Sequence, residues 1–100
     1  MKNEPEVKQI IINNFFTKDG KLKYIPSQLK KKLIILEHIV EGLDSTRTYN
    51  EIELNEVILT YHEDFCTIRR EFIVQGFMDR SSSEYTIRDK KDWKRWDELG

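Results

Sequence analysis

The sequence predicts one domain of the α+β class. Four stretches repeat apolar residues every three or four positions, which is typical of amphipathic helices. One stretch near the C-terminus alternates polar and apolar residues around three serines, which indicates a β-hairpin. The length of 100 residues suits one domain, and 38% hydrophobic residues support a small core. We therefore predict a single domain over residues 1–100, with a short tail at 89–100.

The N-terminal part is predicted to be a helix followed by an extended segment. Apolar residues at helical spacing define the helix over residues 4–16. Asp19 and Gly20 should end it, because both tolerate left-handed backbone. The alternation in residues 21–25 predicts a short strand or an extended segment, which Pro26 ends.

Two further helices are predicted in the middle of the chain. A broad apolar stripe indicates a helix over residues 27–43, with Ser27 as its expected cap. Residues 47–49 are predicted to be a brief extended link. Asn50 and Glu53 have the spacing of a capping box, which predicts the start of the next helix.

The last helix is predicted to run directly into a hairpin. Asp64 is a candidate N-cap, and the apolar spacing after it indicates a helix over residues 65–75 that ends at Gly76. Its core face is expected to include Ile73. Two alternating runs within residues 77–88 flank the polar tip at residues 81–83, which predicts two antiparallel strands.

This order of elements is that of a winged helix-turn-helix with an additional N-terminal helix. In such proteins the helix after the tight turn enters the major groove of DNA. Here that helix is residues 65–75, and the hairpin at residues 77–88 is the wing. Arginine binds guanine bidentately and also neutralises phosphate. Contacts to double-stranded DNA are therefore expected from Thr67, Arg69, Arg70, Arg80, Arg88, Lys30 and Lys31.

The charge distribution leaves a second interpretation open. The formal net charge is −1, which argues against strong nonspecific binding to polyanions. Residues 18–36 contain six lysines and one aspartate, whereas residues 37–68 contain eight acids and one arginine. The chain could instead be a protein-interaction or dimerisation module that uses the acidic region or the tryptophan tail. In that case the arginines would pair inside the fold, with Asp64, Glu56 or Glu63.

Enzyme and metal sites are not expected. His62 and Cys66 are four residues apart, but Asp64 as an N-cap would separate them, and only His38 remains as a further strong ligand. No glycine-rich phosphate loop is present. We therefore expect no metal, no cofactor and no catalysis, and we expect Cys66 to be a small buried residue.

The expected compartment is the cytoplasm. No apolar run approaches the ~20 residues that a membrane-spanning helix needs. The N-terminus is charged and lacks the apolar core of a secretion signal. The single cysteine forms no internal disulfide.

Several spaced motifs together resemble the bacterial domain-of-unknown-function family numbered 2087. They lie within roughly residues 10–88 and include His62 to Phe72 and Gly76 to Arg80. The resemblance implies a bacterial cytoplasmic protein linked to transcriptional regulation, because members are often fused to helix-turn-helix domains. Such a fusion is also compatible with a sensor or dimerisation role. The serine-rich hairpin tip departs from the glycine that the family often has there, and the tail lies beyond the shared region.

Overall fold

The structure is a computed structural model that describes residues 4–98, and the side chains of residues 6–98. The helices are α1 (Glu4–Phe15), α2 (Leu29–Glu41), α3 (Glu51–Leu59) and α4 (Phe65–Val74). The strands are β1 (Thr48–Asn50), β2 (Met78–Ser81) and β3 (Glu84–Ile87). The predicted α+β class is confirmed.

The three strands form one antiparallel sheet in the order β1-β3-β2. The predicted hairpin is therefore confirmed, and Ser82 at its tip has a positive φ of 58°. Tyr85 in the central strand lies opposite Tyr49 on one side and Arg80 on the other. The segment expected to be a simple link, residues 47–49, instead supplies most of the edge strand β1. The hairpin is thus attached to the chain that precedes α3.

Of the two alternatives predicted for residues 21–25, the strand is absent, because Leu22 makes only one isolated bridge, to Phe16, and gives its backbone N–H to the carbonyl of Tyr61 at 2.7 Å. The predicted start of α2 is wrong. Ser27 does not cap α2. The helix begins at Leu29, since Gln28 keeps an extended backbone with ψ of 127°, and no side chain caps this end.

The two predicted caps of the following helices are confirmed. The Asn50 side chain accepts the N–H of Glu53 at 2.8 Å, and the Glu53 carboxylate accepts the N–H of Asn50 at 2.9 Å. The Asp64 carboxylate accepts the N–H of Thr67 at 3.3 Å. Hydrogen bonding from Thr67 also holds the pKa of Asp64 below its usual value. These caps fix where α3 and α4 begin.

The end of α4 is a Schellman motif centred on Gly76. Gly76 has a φ of +81° and donates its N–H to the carbonyl of Ile73 at 3.2 Å. The N–H of Phe77 bonds the carbonyl of Phe72 at 2.9 Å, and the two rings meet edge to face. This turn directs the chain from α4 into β2.

The core is built around α2, which packs against α1, α4 and the C-terminal tail. The tail has two 3₁₀ turns, Lys90–Asp92 and Trp96–Glu98. The ring of Trp93 lies 5.2 Å from that of Phe77, and its indole N–H donates to the carbonyl of Arg88 at 2.9 Å. Both tryptophans are buried, so the tail covers part of the core.

An ionic cluster joins α1, α2 and the tail. The Lys8 ammonium contacts Glu37 at 2.6 Å and Glu41 at 2.7 Å, and Lys90 contacts the other oxygen of Glu41 at 3.3 Å. Burial alone would raise the pKa of Glu41, but hydrogen bonds and attraction from the two lysines outweigh it. The pKa of Glu41 therefore lies below its usual value, and this carboxylate remains charged near neutral pH.

Candidate nucleic-acid interface

A groove of about 240 Å³ lies between α4 and the β2–β3 hairpin. We name it the α4–hairpin groove. It is lined by three of the arginines that the sequence predicted as DNA contacts, namely Arg69, Arg70 and Arg80. Two of these come from the proposed recognition helix and one from the wing. The fold therefore brings residues that are distant in the chain to a common surface.

Arg69 is held by the fold. Its guanidinium donates a short hydrogen bond to the Asn55 side chain and lies 3.9 Å from a Glu51 carboxylate oxygen. The same Glu51 oxygen accepts the hydroxyl of Tyr85 at 3.2 Å. Arg69 thus links α4 to α3, and through Glu51 to the sheet. The sequence left open that the arginines pair with acids inside the fold. Arg69 does so, but its partner is Glu51 and not Asp64, Glu56 or Glu63.

Arg70 and Arg80 are the exposed arginines of the groove, and the charge of Arg70 is among the smaller causes that lower the pKa of Asp64. Among residues 6–98, no carboxylate lies within ion-pair distance of either one. Arg80 donates to the backbone carbonyl of Ser82 at 3.2 Å, and its guanidinium lies 5.9 Å from the Tyr85 ring centre. Both guanidinium groups are accessible to an anionic partner.

Thr67 and Arg88 lie at the two ends of this region. Thr67 is half-buried in the first turn of α4, beside the capping carboxylate of Asp64. Arg88 follows β3 and donates to the Gly76 carbonyl at 3.4 Å, while its guanidinium lies 3.8 Å from Asp79. Arg88 therefore braces the base of the hairpin and does not line the α4–hairpin groove.

Lys30 and Lys31 line a different groove, between α1 and α2. The Lys30 ammonium lies 5.8 Å from the Trp96 ring centre, and that of Lys31 lies 5.9 Å from the Phe15 ring centre. The neighbouring Lys32 instead pairs with Glu71 of α4 at 3.3 Å. Of the seven predicted contact residues, three thus line the α4–hairpin groove and two line the groove between α1 and α2, whereas Thr67 and Arg88 line neither.

The outer face of α4 is more apolar than the sequence analysis expected. Ile73 is 36% exposed and Val74 is 63% exposed, so Ile73 is not a core residue as predicted. Cys66 is exposed, which makes its predicted burial wrong as well. These residues share the Arg70 side of the helix, because successive helical residues are about 100° apart and the core takes Ile68 and Phe72. A helical wheel centred on that core would have found them.

The sequence model of a bacterial family, described as "Uncharacterized protein conserved in bacteria (DUF2087)", matches residues 21–87. The chain belongs to the DUF2087 family. No curated protein and no solved structure gives a significant match. The matched range includes α2 to β3, and therefore every residue that lines the α4–hairpin groove. Helix α1 and the tail lie outside the matched range.

Within the described residues, no group of three or more His, Cys, Asp or Glu side chains is placed to hold a metal ion. His62 instead accepts the backbone N–H of Asp64 on its Nδ1 at 2.9 Å, in the turn before α4. Over residues 4–98, no helix is both long and apolar enough to cross a membrane.

Proposed function

We propose that this DUF2087 protein is a transcriptional regulator that binds double-stranded DNA as a winged helix. In this proposal α4 enters the major groove and the β2–β3 hairpin is the wing. The carrying observation is that Arg70 and Arg80 line one groove from these two elements and form no ion pair with a carboxylate of residues 6–98. Guanidinium groups placed in this way are suited to phosphate oxygens and to guanine.

The element order supports the same proposal. Helices α3 and α4 are adjacent and joined by a short turn, as in helix-turn-helix proteins. Strand β1 pairs with β3, so the hairpin is attached beside these two helices. The Schellman turn at Gly76 connects α4 directly to β2. The wing and the recognition helix are therefore held in a fixed relation.

The charge inventory sets the expected strength of binding. Because Arg69 is engaged by Asn55 and Glu51, the groove offers two free arginines, Arg70 and Arg80. Each neutralised phosphate contributes about −0.9 to the slope of log affinity against log salt, so the slope should be near −2. Nonspecific affinity should accordingly be modest. Specificity would come mainly from Arg70, since one bidentate contact with guanine discriminates by about 1–3 kcal/mol.

The experiment is fluorescence anisotropy of a labelled random duplex across a salt series. The double variant Arg70→Ala/Arg80→Ala should bind at least tenfold more weakly at low salt, with a slope reduced toward zero. The control is Lys91→Ala/Lys94→Ala, which removes the same charge from exposed residues outside the groove. Urea unfolding verifies that both variants are folded. Absence of binding by the wild type at low salt, or an equal loss in the control, would overturn the proposal.

A second candidate function is protein interaction or self-association through the same helix. The observation that favours it is the exposure of Val74 and Ile73 beside Arg70, since apolar side chains gain most from contact with another protein. Sedimentation of the wild type and of Val74→Asp tests this. A concentration-dependent dimer that the substitution dissociates would support it. A strictly monomeric wild type would count against self-association.

A further inference from the structure

The groove between α1 and α2 is apolar at its floor and positive at its rim. We name it the α1–α2 groove. Its apolar lining comes from Val7 and Ile11 of α1 and from Ile34 of α2, and we call these three residues its floor. The rest of the lining is Gln28, Lys30 and Lys31, which precede Ile34 in the chain, and we call the two lysines its rim. It lies outside the α4–hairpin groove, and the DNA-binding proposal above uses none of these residues.

Among the side chains of residues 6–98, the two lysines at this groove differ from their neighbours in lacking an acidic partner. Lys32 is paired with Glu71, and Lys8 is paired with Glu37 and Glu41. In contrast, the ammonium groups of Lys30 and Lys31 contact only ring faces, and no carboxylate of the described residues comes within ion-pair distance. The first turn of α2 contains no acidic residue that would compensate them.

The helix geometry adds to this positive character. Helix α2 begins without a side-chain cap, so the partial positive charge of its N-terminus is not neutralised locally. Residues 18–36 together hold six lysines against one aspartate. An anionic ligand is therefore favoured at this edge, while the floor requires an apolar one. Together the two conditions describe an amphipathic partner.

The size of the groove distinguishes between a small molecule and a peptide. Its volume is about 190 Å³. Pockets that hold drug-sized ligands or cofactors usually measure roughly 300–1,000 Å³. A space of this size fits an apolar side chain of a peptide better than it fits a whole cofactor. Grooves between two helices commonly accept an amphipathic helix by its apolar face.

We propose that the α1–α2 groove binds an acidic amphipathic segment of another protein. An aliphatic or aromatic side chain of the segment packs on Val7, Ile11 and Ile34. Carboxylates on either side of it pair with Lys30 and Lys31. Helix α1 supplies two of the lining residues, Val7 and Ile11, and lies outside the matched family range, so the site depends on a part of the chain beyond the DUF2087 region.

The test is selection of a phage-displayed library of random peptides of about 12 residues, long enough to span two helical turns. The full chain is the target. Enriched peptides should carry Leu, Ile or Phe flanked by Asp or Glu. They should bind Lys30→Glu/Lys31→Glu at least tenfold more weakly than the wild type, which corresponds to 1.4 kcal/mol or more. Val7→Ser should weaken the same peptides by removing part of the floor.

The matched control is Lys18→Glu/Lys91→Glu, which changes the net charge equally at exposed residues outside the groove. It should retain peptide binding. An equal loss in this control would show a general charge effect and overturn the proposal. Enrichment without acidic residues, or no enrichment at all, would also overturn it. Binding of the wild type to phosphatidylglycerol vesicles that is lost in Lys30→Glu/Lys31→Glu, with no peptide selected, would assign the surface to lipid instead.

Discussion

Replacing Gly76 with alanine tests how α4 is joined to the hairpin. Gly76 has a φ of +81°, a region in which a residue with a Cβ is strained by about 1–2 kcal/mol. A Cβ built there would lie 3.1 Å from the Arg88 guanidinium and 3.5 Å from the Asp92 carbonyl. The Arg88 guanidinium would have to move away by a few tenths of an ångström, which lengthens its bond of 3.4 Å to the Gly76 carbonyl. We expect the free energy of unfolding to fall by about 2–3 kcal/mol.

Gly20 provides the matched control, because its φ is +84° but nothing lies within 4 Å of its built Cβ. Gly20→Ala should therefore lose only the backbone contribution of about 1–2 kcal/mol. Urea denaturation of the two variants and the wild type measures both losses, with an unchanged m-value as the sign that unfolding remains two-state. If Gly76→Ala were no less stable than Gly20→Ala, the proposed crowding at Arg88 would be refuted.

Three other substitutions follow from the caps, the burial of a histidine and the tail. Asn50→Ala removes the reciprocal bonds with Glu53 and should lower the unfolding free energy by about 1 kcal/mol in urea, whereas an unchanged midpoint would contradict the capping role. Burial lowers the pKa of His38 below its ordinary 6.5, so the unfolded chain binds the proton more tightly. Stability should therefore decrease as the pH falls below 6.5, and His38→Gln should reduce that dependence. If the wild type and His38→Gln lost stability equally as the pH falls, the contribution of His38 would be refuted. Trp93→Ala removes the ring packed on Phe77 and should lower the free energy of unfolding, measured by thermal denaturation, by about 3 kcal/mol. A loss under about 1 kcal/mol would mean that the tail is not part of the core.

Local signals in the sequence identified the elements because their physical causes lie within a few residues. The pairing of Asn50 with Glu53 and the cap at Asp64 each involve one turn of helix. Gly76 was recognisable because left-handed backbone at a helix end favours glycine. Such features do not depend on how the helices pack against one another.

The features that the sequence did not predict depend on packing between elements. Whether Arg69 is free or held depends on the angle at which α4 crosses α3, which places it beside Asn55 and Glu51. The apolar pattern of α4 was compatible with a core that included Ile73, and only the position of α2 and the sheet determines which side is covered. Lys30 and Arg70 line different grooves, and this separation likewise depends on how the helices pack against one another.

The carboxylate of Glu41 connects the two segments that flank the family region. One of its oxygens bonds Lys8 of α1, and the other bonds Lys90 of the tail. If either segment detaches from α2, the Glu41 carboxylate becomes more hydrated. Its ion pair with the lysine of the other segment then becomes weaker. The backbone amides of α1 and of the tail should therefore exchange with solvent deuterium as one cooperative unit. Helix α1 and residues 90–98 would thus be coupled to each other through one side chain of α2.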